Sequence, residues 1–288
     1  MLIVESVAEV RAAVRHLRRQ QDPEATLALV PTMGAIHEGH LSLVRAAKRA
    51  CNVVAASIFV NPLQFTAGED FDKYPRVLEA DIALLAAEGV NLLFVPTAQE
   101  MYPPQASTIV EVQGISDRLD GASRPGHFRG VATVVAKLFN IVAPDLAFFG
   151  QKDAAQIAVL RAMIRDLNLP VQLLACPTVR EPDGLALSSR NRYLNGAERQ
   201  QALALHRALQ AARILVEQGE TCSQTLRTAM LKVLNEDPTI RVDYAEVVNP
   251  DTLESMPQIA GPALIAVAAW VGTTRLIDNY VLNAVAHG

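Results

Sequence analysis

The chain of 288 residues predicts an α/β fold, a Rossmann-like parallel sheet over residues 1–180 followed by a smaller C-terminal α+β domain over 181–288. Three observations predict it. Short apolar runs alternate with helical patterns through the first part, the signature of βαβ units and a parallel sheet covered on both faces. The runs are followed by polar, Pro- and Gly-containing segments, where ligands of such sheets sit. After about residue 180 the alternation stops, and a polar stretch leads into a long Ala-rich helix.

The elements follow in order. MLIVESVAEVRAAVRHLRRQ reads as a strand and an amphipathic helix. LALV at 27–30 is a strand ending at Pro31. Residues 39–51 place Leu41, Val44 and Ala47 at helical spacing, with Arg45, Lys48 and Arg49 on other faces. VVAASIFV at 53–60 and NLLFVP at 91–96 are strands, separated by a helix after Pro75 that Gly89 stops. STIVEVQG at 107–114 is a short extended piece, and 128–142 is a helix. DLAFFG at 145–150 and VQLLAC at 171–176 are further strands, flanking a helix over 153–166. The second domain reads as helices near 197–217 and 221–235, then strands at 242–249 and 263–272, with the boundary at 176–185.

Composition excludes several classes. Half the residues are hydrophobic and 19% are charged, which excludes general disorder and collagen-like character. The net charge of −4 gives no global attraction to nucleic acid or anionic membrane. Three cysteines, Cys51, Cys176 and Cys222, make no disulfide framework and contain no CxxC pair. No apolar run approaches a transmembrane span and the start is not a signal peptide, so the expected compartment is the cytoplasm.

The familiar phosphate loops GxGxxG and GxxxxGK[ST] are missing. PTMGAIHEGH at 31–40 offers another way to hold an anion. Gly34 and Gly39 permit tight backbone, and His40 falls at the start of a helix whose first amides are free donors. His37 and His40 can donate to phosphate oxygens, more strongly if protonated; a capped loop and a metal pair are the competing readings. Asn61 and Gln64 in FVNPLQF suit hydroxyls or a carboxylate, though an Asx turn at Pro62 also explains Asn61. In GQKDAAQ, Lys152 stands at the positive end of a helix, Asp153 can cap it, and Gln156 shares a face with Lys152. GASRPGHFRG at 121–130 reads as a mobile basic loop carrying Arg124, His127 and Arg129. Ser188, Ser189 and Arg190 in LALSSRN form a candidate phosphate clamp. Among the acids near these loops, Asp70, Asp72 and Asp81, the last lies in a helix and is expected to face solvent; a Mg²⁺ ion held by phosphates and one carboxylate, Asp81, is the metal reading. Together these residues indicate an α/β enzyme that binds a phosphorylated small molecule.

PTMGAIHEGHLSLVRAA, FVNPLQF, RPGHFRGVATVVAKLFN, residues 148–156 and LALSSRN closely resemble the pantoate–β-alanine ligase family, across the whole chain. That family belongs to the HIGH/KMSKS nucleotidyltransferases. HEGH at 37–40 resembles the first motif; LSSR at 187–190 stands where the second would be but lacks both lysines, and Lys152 would replace that cation. The resemblance implies ATP-dependent condensation of pantoate with β-alanine to pantothenate through pantoyl adenylate, releasing pyrophosphate and AMP. It implies His37, His40, Lys152 and Arg190 as catalytic residues, and ATP contacts from Met33, His40, Gly150, Lys152, Asp153, Ser188, Ser189 and Arg190. Pantoate would meet Gln64, Gln156, Met33, Phe59 and Asn61. It further implies Mg²⁺, a homodimer, a lid-like C-terminal domain, and no nucleic-acid or membrane partner. Another adenylyltransferase of this fold and a non-catalytic nucleotide binder are the alternatives. Dependence on both pantoate and β-alanine separates the first, and pyrophosphate release needing ATP, pantoate and Mg²⁺ together separates the second.

Overall fold

A computed structural model describes residues 1–21, 24–66 and 69–282. In chain order it contains β1 (Leu2–Val4), α1 (Val7–Gln21), β2 (Leu27–Thr32), α2 (Glu38–Ala50), β3 (Val53–Ile58), α3 (Leu78–Ala87), β4 (Leu92–Phe94), α4 (Ala98–Met101), α5 (Asp120–Ser123), α6 (His127–Val142), β5 (Leu146–Gly150), α7 (Ala154–Asp166) and β6 (Gln172–Cys176). Then follow α8 (Gly196–Glu217), α9 (Ser223–Leu234), β7 (Arg241–Val248), β8 (Ala263–Val271) and β9 (Thr274–Leu282). The chain divides into two units, one of Met1–Gly150 with Val159–Pro177, the other of Gln151–Ala158 and the chain from Thr178 onward.

In the first unit six strands form one sheet in the order β1-β4-β3-β2-β5-β6, every pair parallel. Its central strands are buried on both faces. Ala28, Val30, Val54 and Ala56 pack with Leu41, Val44 and Ala47 of α2 and Leu85 of α3. The alternate residues Leu27, Leu29, Val53 and Ala55 are equally buried, and α6 packs against α1 and β2. This two-sided burial explains why the strands read as unbroken apolar runs. Strand order reverses between β2 and β5, and in open parallel sheets ligands bind at that point beyond the carboxyl ends.

Helix α6 is apolar nearly all round because it is buried nearly all round. It passes so close to the short 3₁₀ turn Pro62–Gln64 that Gly130 has no room for a side chain. A Cβ there would stand 2.2 Å from the Leu63 carbonyl oxygen and 2.6 Å from the Gln64 nitrogen.

The second unit holds an antiparallel sheet β7-β8-β9. Ala263, Ile265, Val267 and Ala269 of β8 pack with Ala204, Leu205, Ala208 and Leu209 of α8 and Leu226 and Met230 of α9. The small residues of α8 thus lie in the core. Asn195 starts α8 with a capping box closed by Glu198. No helix among the described residues is long and apolar enough to cross a membrane, and the three cysteines are free thiols.

The extended piece at 107–114 joins no sheet; the Val110 amide donates to Thr133 Oγ1 of α6 at 2.9 Å. The final strand β9 was not expected, because Arg275, Asp278 and Asn279 interrupt its apolar alternation.

The Gly130 approach predicts that Gly130→Ala destabilises the fold by about 1–3 kcal/mol or more, since backbone rather than a flexible side chain must yield. The denaturant midpoint should fall with an unchanged m value.

Candidate active site

The segment after β2 is a turn held by one buried acid. Gly34 and Ala35 both have positive φ, 82° and 51°. Asp81, on α3 and 2% exposed, accepts from the Ala35 amide at 2.8 Å through Oδ2 and from the Ile36 amide at 2.7 Å through Oδ1. A Cβ at Gly34 would lie 2.9 Å from that Oδ2. Thr32 adds a further tie: its hydroxyl donates to the Ser57 carbonyl at 2.8 Å and accepts from the Gly34 amide at 3.2 Å. Asp81 therefore does not face solvent as the sequence suggested. Both its oxygens are engaged by the loop, which leaves it poorly suited to ligate Mg²⁺.

The turn delivers His37 to the N-cap of α2. His37 Nδ1 accepts from the Gly39 amide at 3.2 Å, and His40 Nδ1 accepts from the His37 amide at 3.3 Å, a capping box made of two histidines. Their rings stack with centroids 4.1 Å apart. An Nδ1 that accepts from an amide carries no proton, so the tautomer that makes this cap has its proton on Nε2. In that tautomer each ring has an Nε2–H donor. A proton on Nδ1 would remove the acceptor that makes the cap.

After β3, Asn61 and Gln64 form a fixed pair. Asn61 Oδ1 accepts from the Leu63 amide at 3.2 Å and from the Tyr102 hydroxyl at 2.8 Å. Its Nδ2 donates to the Gly130 carbonyl and to Gln64 Oε1, both at 3.1 Å. These are all the hydrogen bonds one amide can make. Asn61 is therefore not placed to clasp a ligand directly; it holds Gln64. With Oε1 occupied, Gln64 presents its NH₂, which lies 3.0 Å from the Met33 sulfur. Phe59 is buried, its ring centroid 6.0 Å from that of Tyr102. The structure thus joins Met33, Phe59, Asn61 and Gln64 in one cluster.

The basic loop expected at 121–130 is instead folded into α5 and the start of α6; Arg124 and His127 turn inward, and Arg129 is exposed. Arg124 Nε is 2.5 Å from Glu69 Oε1, and its Nη1 donates to His127 Nε2 at 3.0 Å. His127 Nδ1 donates to the Gln64 carbonyl at 2.7 Å. Burial, and then the Arg124 guanidinium, lower the His127 pKa to about 4. Burial pushes the Glu69 carboxyl up, but the Arg124 hydrogen bonds outweigh it and hold the pKa at about 2. This inward network supports the Gln64 backbone.

The remaining candidates lie at the end of β5 and in the second unit. Gly150 closes β5 opposite Cys176. Lys152 and Asp153 share the 3₁₀ turn Gln151–Asp153, with Nζ 3.5 Å from Oδ1, and Gln156 is in the first turn of α7. Ser188 caps the 3₁₀ turn Ser189–Tyr193, its Oγ accepting from the Arg190 amide at 3.2 Å. Asn191 Nδ2 donates to Glu181 and to the Ala186 carbonyl, both at 3.1 Å, and so fastens that turn. Sequence reasoning missed Tyr102, Glu69, Gly130, Asp278 and Asn279. Tyr102 was within reach, since it lies in PTAQEMYPP, the segment that follows a strand; nothing in the sequence singled out the others.

The His127 geometry gives a pH prediction. Its folded pKa of about 4 lies below the unfolded 6.5, so its contribution to stability is complete above pH 6.5 and is lost as pH falls toward 4. The loss should approach about 3 kcal/mol. Urea unfolding across this range should show the decline, and His127→Gln should flatten that part of the profile.

Residues 2–281 match the family model described as pantoate-beta-alanine ligase. A pantothenate synthetase of Acidobacterium capsulatum is 58% identical, covering 97% of this chain and 96% of that protein. One of Koribacter versatilis is 53% identical, covering 99% and 97%. The crystal structure of pantothenate synthetase from Thermus thermophilus superposes with a TM-score of 0.91 at 48% identity, covering 97% of this chain and 99% of that one. That of the Francisella tularensis ligase, complexed with beta-gamma ATP and beta-alanine, gives 0.78 at 31% identity, covering 98% and 97%. With the family model spanning nearly its whole length, the chain belongs to the pantoate–β-alanine ligase family.

Proposed function

We propose that this chain condenses pantoate with β-alanine at the expense of ATP, through pantoyl adenylate. In the first step a pantoate carboxylate oxygen attacks the α-phosphorus and pyrophosphate leaves. In the second the β-alanine amine, in its neutral form, attacks the acyl carbon; AMP leaves and the nitrogen loses a proton. The observation that carries this reading is the His37–His40 pair, two ring donors in contact and fixed by backbone amides at the start of α2. Attack on ATP needs alignment and stabilisation of charge growing on phosphate oxygens, and preorganised donors supply both. No side-chain nucleophile is required, because the activated acyl group is carried by AMP.

Gln64, Gln156, Met33 and Phe59 take pantoate, with Gln64 offering its NH₂ to a hydroxyl or carboxylate and Asn61 holding Gln64 in that orientation. Gly150 and Asp153 take the adenosine, and Met33 borders both ligands. Lys152, Ser188, Ser189 and Arg190 hold the β and γ phosphates. Among the described residues no three His, Cys, Asp or Glu side chains cluster as a metal cage. A Mg²⁺ ion held chiefly by the phosphates would offset phosphate charge. The family resemblance extends the reading to a cytoplasmic homodimer whose second unit serves as a lid.

His40→Ala and Lys152→Ala should each lower adenylate formation by about 100-fold or more with the fold retained. Pyrophosphate release is the measurement, and it should require ATP and pantoate together. Pantothenate should appear only when β-alanine is added. A near-wild-type pyrophosphate burst in either variant overturns the role of that residue.

A further inference from the structure

Strand β9 carries two consecutive polar residues, Asp278 and Asn279, that are 3% and 6% exposed. Neither has a part in the chemistry proposed above. Adjacent residues of a strand point to opposite faces, and each of these side chains fastens a different segment of the second unit.

Asp278 takes the guanidinium of Arg180 in a two-pronged pair, at 2.6 and 2.9 Å. Arg180 also donates to the Gly184 carbonyl at 3.0 Å. This fixes the reversal at 180–186, which the Arg180–Ala186 bridge and the Leu187 amide to Val179 carbonyl bond close. Ser188, Ser189 and Arg190 follow immediately.

Asn279 reaches the other segment. Its Nδ2 donates to the carbonyls of Gln151, at 3.0 Å, and Lys152, at 2.8 Å. Its Oδ1 lies 3.4 Å from Gln151 Nε2. In a trans peptide the N–H points opposite to the C=O. Drawing the Gln151 and Lys152 carbonyls onto Asn279 therefore directs the Lys152 and Asp153 amides the other way. The two anchors are locked together, since the Asn279 amide donates to Asp278 Oδ1 at 2.8 Å and β8 holds both residues in register through Val267 and Ala266.

We infer that Asn279 is a positioning residue for ATP: it sets the turn that carries Lys152, in the frame that Asp278 sets for Ser188–Arg190. This rests on the reading of Lys152 as a phosphate cation. The effect falls mainly on the triphosphate: of the two pantoate amides, Gln64 is held by a separate set of bonds in the first unit, and Gln156 lies beyond the turn, in α7.

The test is a double-mutant cycle of Asn279→Ala and Lys152→Ala in the full chain, read by pyrophosphate release, with thermal melting to confirm folding. Asn279→Ala should raise the KM for ATP or lower kcat by about 10–100-fold, with a clearly smaller change in the pantoate KM. In the Lys152→Ala background the same substitution should add less than about twofold, because its route of action is gone. Full additivity, a neutral Asn279→Ala, or an equal rise in the pantoate KM overturns the inference while leaving Lys152 in place. A near-wild-type Lys152→Ala overturns the reading of Lys152 itself, and the inference with it. If Asn279→Ala does not fold, Asn279→Ser goes through the same cycle and is judged by the same outcomes.

Discussion

The Asp81 carboxylate and the two amides it receives are the constraint from which the first half of the site follows. A buried carboxylate without partners would be strongly unfavourable, and two amides in a loop that turns through positive φ would be left unsatisfied without it. Each supplies what the other lacks, by short charge-assisted bonds. Ala35 is held in a backbone conformation that alanine seldom adopts. The turn ends at His37, so the direction of α2 and the stacking of the two histidines depend on an acid 44 residues further along the chain.

A second support comes from α6. Gly130 lets the helix backbone touch the 62–64 turn, and Asn61 uses that proximity to reach the Gly130 carbonyl. The Glu69–Arg124–His127 set grips the Gln64 carbonyl from the other side. A single residue, Gln64, is thus fixed at its backbone by one network and at its side chain by another. Neutral His127 matters here, because its Nε2 must keep a lone pair for Arg124.

The sequence revealed the sheet more fully than the supports. All six strands of the first unit were legible as apolar runs between helices, and in the central strands β2, β3 and β4 burial on both faces leaves a mark in nearly every residue. His37, His40, Gln64 and Lys152 were legible as polar residues after strands, and Ser188, Ser189 and Arg190 as a polar run joining the two domains. Asp81 was misjudged because an acid on a helix usually faces water, and only its distant loop partners show otherwise. Asn61 was named, but whether an amide acts on a ligand or on a neighbour depends on atoms contributed by Tyr102 and Gly130. Strand β9 escaped notice because its two central polar residues serve contacts 98 and 127 positions away, which no local pattern records.

One contact in the first unit has a consequence for how readily the site opens. The NH₂ of Gln64 rests on the sulfur of Met33. A thioether is a poor acceptor and a flexible, polarizable neighbour. An oxygen in its place would hold the amide firmly, and an incoming ligand would have to break a good hydrogen bond to gain another. In the pantoate role proposed for Gln64, sulfur would keep the amide oriented yet surrender it at little energetic penalty. Met33 is in this sense a placeholder, weak enough to be displaced and close enough to keep the donor from wandering.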